Sequence, residues 1–227
     1  MQTLAYGQLT DQGRVRENNE DAFCAVVLKG ELFSKKGALF AVADGLGGLS
    51  RGEVASRMAV DWVREFFAGE IFFPKDPEWL RTAFDGANRK IFGINEKEFP
   101  GDPMGTTLTA SWIHGGRVHI GHVGDCRAYR VRSGSPEQLT RDHTMSRHIL
   151  SRAVGIEEKV QMDLYEAEAL PGDVYVQCSD GLYPLLSDEE LAEIVSRYEP
   201  QEACRHLVRL ANDRGGPDNI TVQVVRI

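Results

Sequence analysis

Glu20, Asp21, Asp44, Asp125, Asp180 and Asp218 each stand at the end or the mouth of an apolar, strand-like run, most of them with glycine nearby. The clearest case is Leu39-Phe40-Ala41-Val42-Ala43-Asp44, which breaks at once into Gly45-Leu46-Gly47-Gly48. Far along the chain Val174-Tyr175-Val176-Gln177-Cys178-Ser179-Asp180-Gly181 repeats the event. A strand that carries an acid to its own end and then breaks into glycine suits metal or phosphate chemistry. Asp-Gly is also ordinary turn chemistry, and the recurrence is what favours a shared site. Carboxylates without paired histidines or thiolates among them select hard cations, Mg²⁺ or Mn²⁺ rather than zinc or copper. Crowded together without cations they would repel one another. Two bridged ions can lower the pKa of a shared water and aim it for in-line attack, while an arginine fork holds a phosphate dianion. Arg16, four residues before Glu20, is the candidate for that fork, with an exposed surface arginine as the alternative.

The elements that must position these groups follow from periodicity. Residues 3–9 and 22–28 read as strands around a polar stretch, 10–21, that brings Glu20 and Asp21 to the mouth of the second strand. Neighbours on a strand face opposite ways, so only one of these two acids can easily grip an ion directly. The other is left to hold water or orient a ligand. Past the Asp44 strand, a helix near 52–67 carries Val54, Met58, Trp62 and Phe66 beside Ala55, Ala59, Val63 and Phe67, a wide apolar stripe for a core. A second helix opens at Asp76-Pro77 and buries Leu80, Phe84, Ala87 and Ile91, with 93–105 as a loop. Runs 106–114, 117–123 and 126–132 read as a meander, turning at Gly115-Gly116 and again at Gly124-Asp125. His119 and His122 mimic a zinc pair, but three residues apart on a strand they face opposite sides and read as structural. Residues 133–158 read as irregular, with a possible short helix near 144–150. Pro171-Gly172-Asp173 turns into the Asp180 strand, Ser187 and Glu190 form a capping box for a helix of 188–196, and another helix spans 200–213. The strand 220–225 follows Asp218.

Strands in pairs and triplets with helices grouped between them argue for antiparallel sheets. The natural packing is a two-sheet sandwich with helices outside, an α+β architecture in one domain over residues 1–227. A net charge of −8 speaks against a general nucleic-acid or anionic-membrane partner. No apolar run is long enough to span a bilayer. The N-terminal residues lack the pattern of a signal peptide. The four cysteines are scattered singly, which fits a reducing cytoplasm and excludes a cysteine zinc cluster.

With these residues assembled, the chain resembles the PPM/PP2C family of metal-dependent protein serine/threonine phosphatases in its bacterial form. The resemblance is carried by Arg16-Glu17-Asn18-Asn19-Glu20-Asp21, Ala43-Asp44-Gly45-Leu46-Gly47-Gly48 and Gly52-Glu53-Val54-Ala55-Ser56. It continues through Met104-Gly105-Thr106-Thr107-Leu108, Val123-Gly124-Asp125-Cys126-Arg127-Ala128-Tyr129, Ser179-Asp180-Gly181-Leu182 and Asp218-Asn219-Ile220-Thr221-Val222, in family order. It implies a four-layer α-β-β-α sandwich with two Mn²⁺ or Mg²⁺ ions at one end of the sheets. In that likeness Asp44 bridges both ions, Asp180 and Asp218 complete one, and Glu20 with the Gly45 carbonyl holds the other. Asp21 would orient water at the ions, Arg16 would bind the substrate phosphate, and Asp125 with Asp180 would hold a weaker third ion. The implied partners are phosphoserine and phosphothreonine proteins and a cognate kinase, the implied reaction direct attack by water without a phosphoenzyme. A cytoplasmic monomer is expected.

Two departures stand out. Leu46 occupies the place where eukaryotic members often carry a histidine proposed as general acid, so the leaving-group proton has no assigned donor. Asp142-His143-Thr144 and Ile149-Leu150-Ser151-Arg152-Ala153-Val154-Gly155 match two family elements separated here by Met145-Ser146-Arg147-His148 alone. Bacterial relatives usually place a flap subdomain between them. Its loss implies an open cleft and keeps hydrolysis of small phosphate esters as an alternative. A catalytically silent regulatory module is a separate alternative, against which stands the presence of every core ligand.

Overall fold

A computed structural model describes residues 4–46, 51–69, 76–146 and 149–227. From the N-terminus come β1 (Ala5–Asp11), β2 (Asp21–Val27), α1 (Gly30–Lys36), β3 (Ala38–Asp44), α2 (Gly52–Ala68) and α3 (Glu78–Glu98). Next are β4 (Leu108–His114), β5 (Arg117–Val123), β6 (Arg127–Arg132), β7 (Ser135–Gln138), β8 (Thr144–Ser146) and β9 (Ile149–Leu150). The chain closes with β10 (Asp163–Glu168), β11 (Val174–Cys178), a 3-10 turn (Tyr183–Leu185), α4 (Asp188–Arg197), α5 (Pro200–Asp213) and β12 (Ile220–Arg226).

Two five-stranded sheets form, in the orders β1-β12-β11-β6-β7 and β10-β5-β4-β3-β2, with β8 and β9 as a separate hairpin. Every pairing is antiparallel. The alternation along β3 explains the layering. Leu39, Ala41 and Ala43 face α2 and α3, whose Ala55, Ala59, Val63, Leu80 and Phe84 close over them. Ala38 and Phe40 face inward to Ile120, Ala128 and Tyr175 between the sheets. On the far side Val176, Val222 and Val224 are covered by Leu191 and Val195 of α4 and Leu207 and Ala211 of α5. The result is the expected α-β-β-α sandwich. Its inter-sheet layer is not wholly apolar. Ser111 Oγ donates to Gln177 Oε1 (2.7 Å), Gln177 Nε2 to Gln223 Oε1 (3.2 Å) and Gln223 Nε2 to Gln8 Oε1 (3.1 Å), a satisfied polar ladder from sheet to sheet.

Several expectations give way. Gly124-Asp125 is no hairpin turn: β5 pairs with β4 and β10, whereas β6 pairs with β11 and β7, so this dipeptide carries the chain from one sheet to the other. Strands buried on both faces hide which sheet they join. The first strand lies two residues later than expected at its end, and α1, β7 and β10 were not anticipated, being short and polar-edged. Helix α3 runs on to Glu98 through the supposed loop. Its stripe continues at Asn95, a buried amide that donates to the Met104 and Gly155 carbonyls (both 2.8 Å) and accepts from Met104 N–H (3.0 Å). Asp76 caps one residue away from the formal helix start, its Oδ1 accepting from Glu78 N–H at 3.0 Å. The short helix near 144–150 is instead the β8–β9 pair; Met145 and Ile149 sit at helical spacing but are 73% and 52% exposed, so no core holds them as a helix. Thr3, Gly47, Gly48, Arg147 and His148 lie outside the described residues.

Candidate metal centre and cleft

Asp44 ends β3 and stands directly opposite Asp21 at the start of β2. Its backbone is braced by the Thr106-Thr107 pair. Asp44 N–H donates to Thr107 Oγ1 (2.9 Å), while its carbonyl accepts from Thr107 N–H (2.8 Å) and Thr106 Oγ1 (2.8 Å). Gly45 N–H donates to the Glu20 carbonyl at 3.1 Å. A Cβ on Gly45 would fall 2.4 Å from the Gly52 backbone, so only glycine admits the start of α2 this close. One on Gly52 would fall 3.1 Å from the Glu20 carboxylate, which places that acid against the same helix start.

From the other sheet, Asp180 follows β11 and Asp218 precedes β12. Gly181 is required because a Cβ there would lie 2.0 Å from the Asn219 carbonyl. Asn219 ties the polar loop to this sheet: its Oδ1 accepts from Glu20 N–H (2.9 Å) and its Nδ2 donates to the Gln12 (2.9 Å) and Asn18 (2.8 Å) carbonyls. Ser179 Oγ accepts from Thr221 N–H (2.9 Å) and donates to Asp21 Oδ2 (2.7 Å). Arg16 Nη2 reaches Asp218 Oδ2 at 2.7 Å. Asp125 enters on the β5–β6 connection.

The electrostatics expose the strain of this gathering. Burial, then the charges of Asp21, Asp180 and Asp125, hold the Asp44 carboxyl well above its ordinary range. Burial and then Asp180 push Asp125 to about 7. Burial raises Asp21 to about 7 against the Thr221 and Ser179 hydrogen bonds that pull it down. Glu20 is raised by burial and by Glu53. Asp44 and Asp180 stand within hydrogen-bonding reach of each other, where two carboxylates need a proton or a cation between them. Asp21 Oδ1 is buried with no hydrogen-bond partner. Cations would resolve each of these costs, and an all-oxygen donor set fits Mn²⁺ or Mg²⁺. Among the described residues no three His, Cys, Asp or Glu side chains already form a shell around one point. A Mg²⁺-like ion is usually held by one or two carboxylates and keeps several waters, so a closed shell is not required.

Arg16, Glu20, Asp44, Gly45, Asp125, Asp180 and Asp218 all line one cleft of about 1030 Å³, and Asp21 sits behind Ser179 at its back. Leu46 also lines the cleft, so that position offers no titratable group. The outer wall comes from 149–161, which α3 holds in place. Asn88 Nδ2 donates to the Glu157 (2.9 Å) and Glu158 (3.2 Å) carbonyls, and its Oδ1 accepts from Gly155 N–H (2.7 Å). His119 and His122 are structural, as expected. His119 stacks on Trp112 (5.1 Å), and His122 Nδ1 bonds Thr109 Oγ1 (2.8 Å), burial pushing its ring down to about 4. Thr106, Thr107, Ser179, Asn219, Asn88 and Asn95 escaped sequence reading as supports. Buried polar residues inside otherwise apolar runs were the available signal.

A family model described as protein phosphatase 2C matches residues 13–213. The serine/threonine phosphatase stp of Listeria monocytogenes is 33% identical over 241 aligned positions, covering 95% of this chain and 93% of that protein. That alignment is longer than the 227 residues here, so the relative carries residues without a counterpart in this chain. The solved serine/threonine phosphatase of S. agalactiae superposes with a TM-score of 0.88 at 31% identity, over 99% of this chain and all of that one (100%). The catalytic domain of the serine/threonine protein phosphatase PstP in complex with two manganese ions superposes at 0.84 with 35% identity, over 98% of this chain and 97% of that chain.

Proposed function

The chain belongs to the protein phosphatase 2C family and is a serine/threonine protein phosphatase, and from that premise we propose that it hydrolyses phosphoserine and phosphothreonine by direct attack of water at a binuclear Mn²⁺ or Mg²⁺ centre, reversing a serine/threonine kinase. The observation that carries this reading is the convergence of Glu20, Asp44, Asp125, Asp180 and Asp218 with Arg16 on one cleft. Asp44 would bridge the ions, Asp180 and Asp218 would hold one, and Glu20 with the Gly45 carbonyl the other. Asp125 would serve a weaker third ion. When bound, the ions supply a water of lowered pKa and draw charge from the phosphate oxygens. Arg16 grips and orients the phosphate dianion through its planar fork, exchanging Asp218 for substrate oxygens. Asp21, held by Ser179 through Oδ2, would orient water at the ions with its unpartnered Oδ1.

Among the described residues no helix is long and apolar enough to cross a membrane. A phosphothreonine peptide should release phosphate with Mn²⁺ present, and Asp180→Asn should abolish the release. Full activity in excess EDTA would overturn the reading, and tight Mn²⁺ binding without turnover would mark a silent module. The open cleft and the short β8–β9 hairpin favour one second reading, hydrolysis of small phosphate esters. Catalytic efficiency on phosphopeptides against small phosphorylated metabolites decides between the two.

A further inference from the structure

Asp125 rides on a connector that hydrogen bonds of neither sheet ladder hold, yet a ligand must be fixed closely to be useful. The structure shows what grips it. On one flank, His143 N–H donates to the Gly124 carbonyl (2.8 Å) and Gly124 N–H donates back to His143 Nδ1 (3.2 Å). On the other, the Arg127 guanidinium closes on both oxygens of Asp142, with Nε at 3.0 and 3.2 Å and Nη2 at 2.8 Å. Arg127 is itself seated over the Tyr183 ring (3.7 Å) and donates to Tyr129 Oη (3.1 Å). With Nδ1 accepting from Gly124, the ring is assigned as neutral with its proton on Nε2, 3.1 Å from Asp163 Oδ2. Arg152 Nη1, 3.2 Å from the same nitrogen, donates to Asp163 instead. The other Asp163 oxygen accepts from Arg152 Nη1 at 2.7 Å, and Arg152 lines the cleft wall. His143 is buried, so its bonds are not shared with solvent.

We propose that the adjacent residues Asp142 and His143 are positioning residues that clamp the sheet-to-sheet connector from both flanks and thereby set Asp125 as a cation ligand. The clamp also ties the connector through Asp163 to Arg152, so that the cleft wall and the Asp125 side of the centre are held as one body. The inference rests on the reading of Asp125 as a ligand, and two readouts keep the clamp and that premise apart.

The full chain and its variants are compared by amide hydrogen exchange over 124–127 in EDTA and by calorimetric titration with Mn²⁺. His143→Asn keeps an acceptor near the Nδ1 position, whereas His143→Leu keeps the volume alone. His143→Leu should speed exchange at Gly124 and Asp125 and weaken the weakest Mn²⁺ event by about 10-fold or more. His143→Asn should stay near wild type in both. Should His143→Leu not fold, Arg127→Lys, which replaces the fork on Asp142 by a point charge, is read in the same way. Exchange unchanged in His143→Leu or Arg127→Lys, or His143→Asn as damaging as His143→Leu, overturns the clamp. Faster exchange with an unaltered Mn²⁺ isotherm overturns the proposal through its premise, that Asp125 is a ligand.

Discussion

Arg16 sets the charge of the cleft at the scale of a single residue. Its guanidinium is held up in pKa chiefly by the hydrogen bond it donates to Asp218, so it remains a full cation beside the acids. A phosphate dianion offers the same fork two oxygens at once, which a lysine ammonium cannot match. Charge-assisted hydrogen bonds of this kind contribute about 1.5–3 kcal/mol. Arg16→Ala should therefore lower kcat/KM on a phosphothreonine peptide by about 10- to 100-fold. Arg16→Lys should recover only a small part. Steady-state kinetics at saturating Mn²⁺ read this directly, and wild-type efficiency in Arg16→Ala would remove Arg16 from the phosphate site.

Strand ends bring three of the acids to the cleft, while Glu20 and Asp125 arrive on connections. β3 ends at Asp44, β11 just before Asp180, and β12 begins just after Asp218, so three rigid strands present their carboxylates with little conformational freedom to lose. Their ends must approach closely, which the glycines permit. At Gly181 a Cβ would meet the Asn219 carbonyl at 2.0 Å, backbone against backbone, and neither strand can yield without moving Asp180 or Asp218. Gly181→Ala should cost about 1–3 kcal/mol, a fall in Tm of about 2–4 °C for each of these in a chain this long. It should also weaken Mn²⁺ binding. Scanning calorimetry with an unchanged Tm would contradict the close approach.

For the whole molecule, the two sheets are bound by an apolar layer and its Ser111–Gln177–Gln223–Gln8 ladder, while one end of the sandwich accumulates negative charge. Asp125 titrates near 7 when folded, against an ordinary value of 3.8. Between those two values the folded chain holds a proton that the unfolded chain has released. Stability from this group is therefore present at low pH and lost as pH rises toward 7. In EDTA, Asp125→Asn should match wild type near pH 4 and exceed it in Tm increasingly up to pH 8. Mn²⁺ must displace protons from the cluster, so its stabilisation of wild type should be larger at pH 8 than at pH 5. A free Mn²⁺ concentration 100 times Kd contributes about 2.7 kcal/mol per site. Thermal melts across pH with EDTA and with Mn²⁺ test both signs. A Tm gap that shrinks as pH rises would show that Asp125 is not buried among like charges.

What the chain determines by itself is local. Apolar runs ending in Asp-Gly marked the strands that carry Asp44 and Asp180, the capping box at Ser187 and Glu190 forms as its spacing demands, and the ordered motifs pointed to the family. These signals reside in neighbouring residues, through backbone preference and the period of burial. Which strands adjoin was decided only by the tertiary fold. Gly124-Asp125 looks like a turn and is a passage between sheets, and Asn95 falls in a stretch that reads as a loop and is the buried continuation of the α3 stripe. The bonds that set the centre join Asp21 to Ser179 and Glu20 to Asn219, residues 158 and 199 positions apart. Contacts of that span arise from packing the sheets against each other, and no local pattern of residues encodes them.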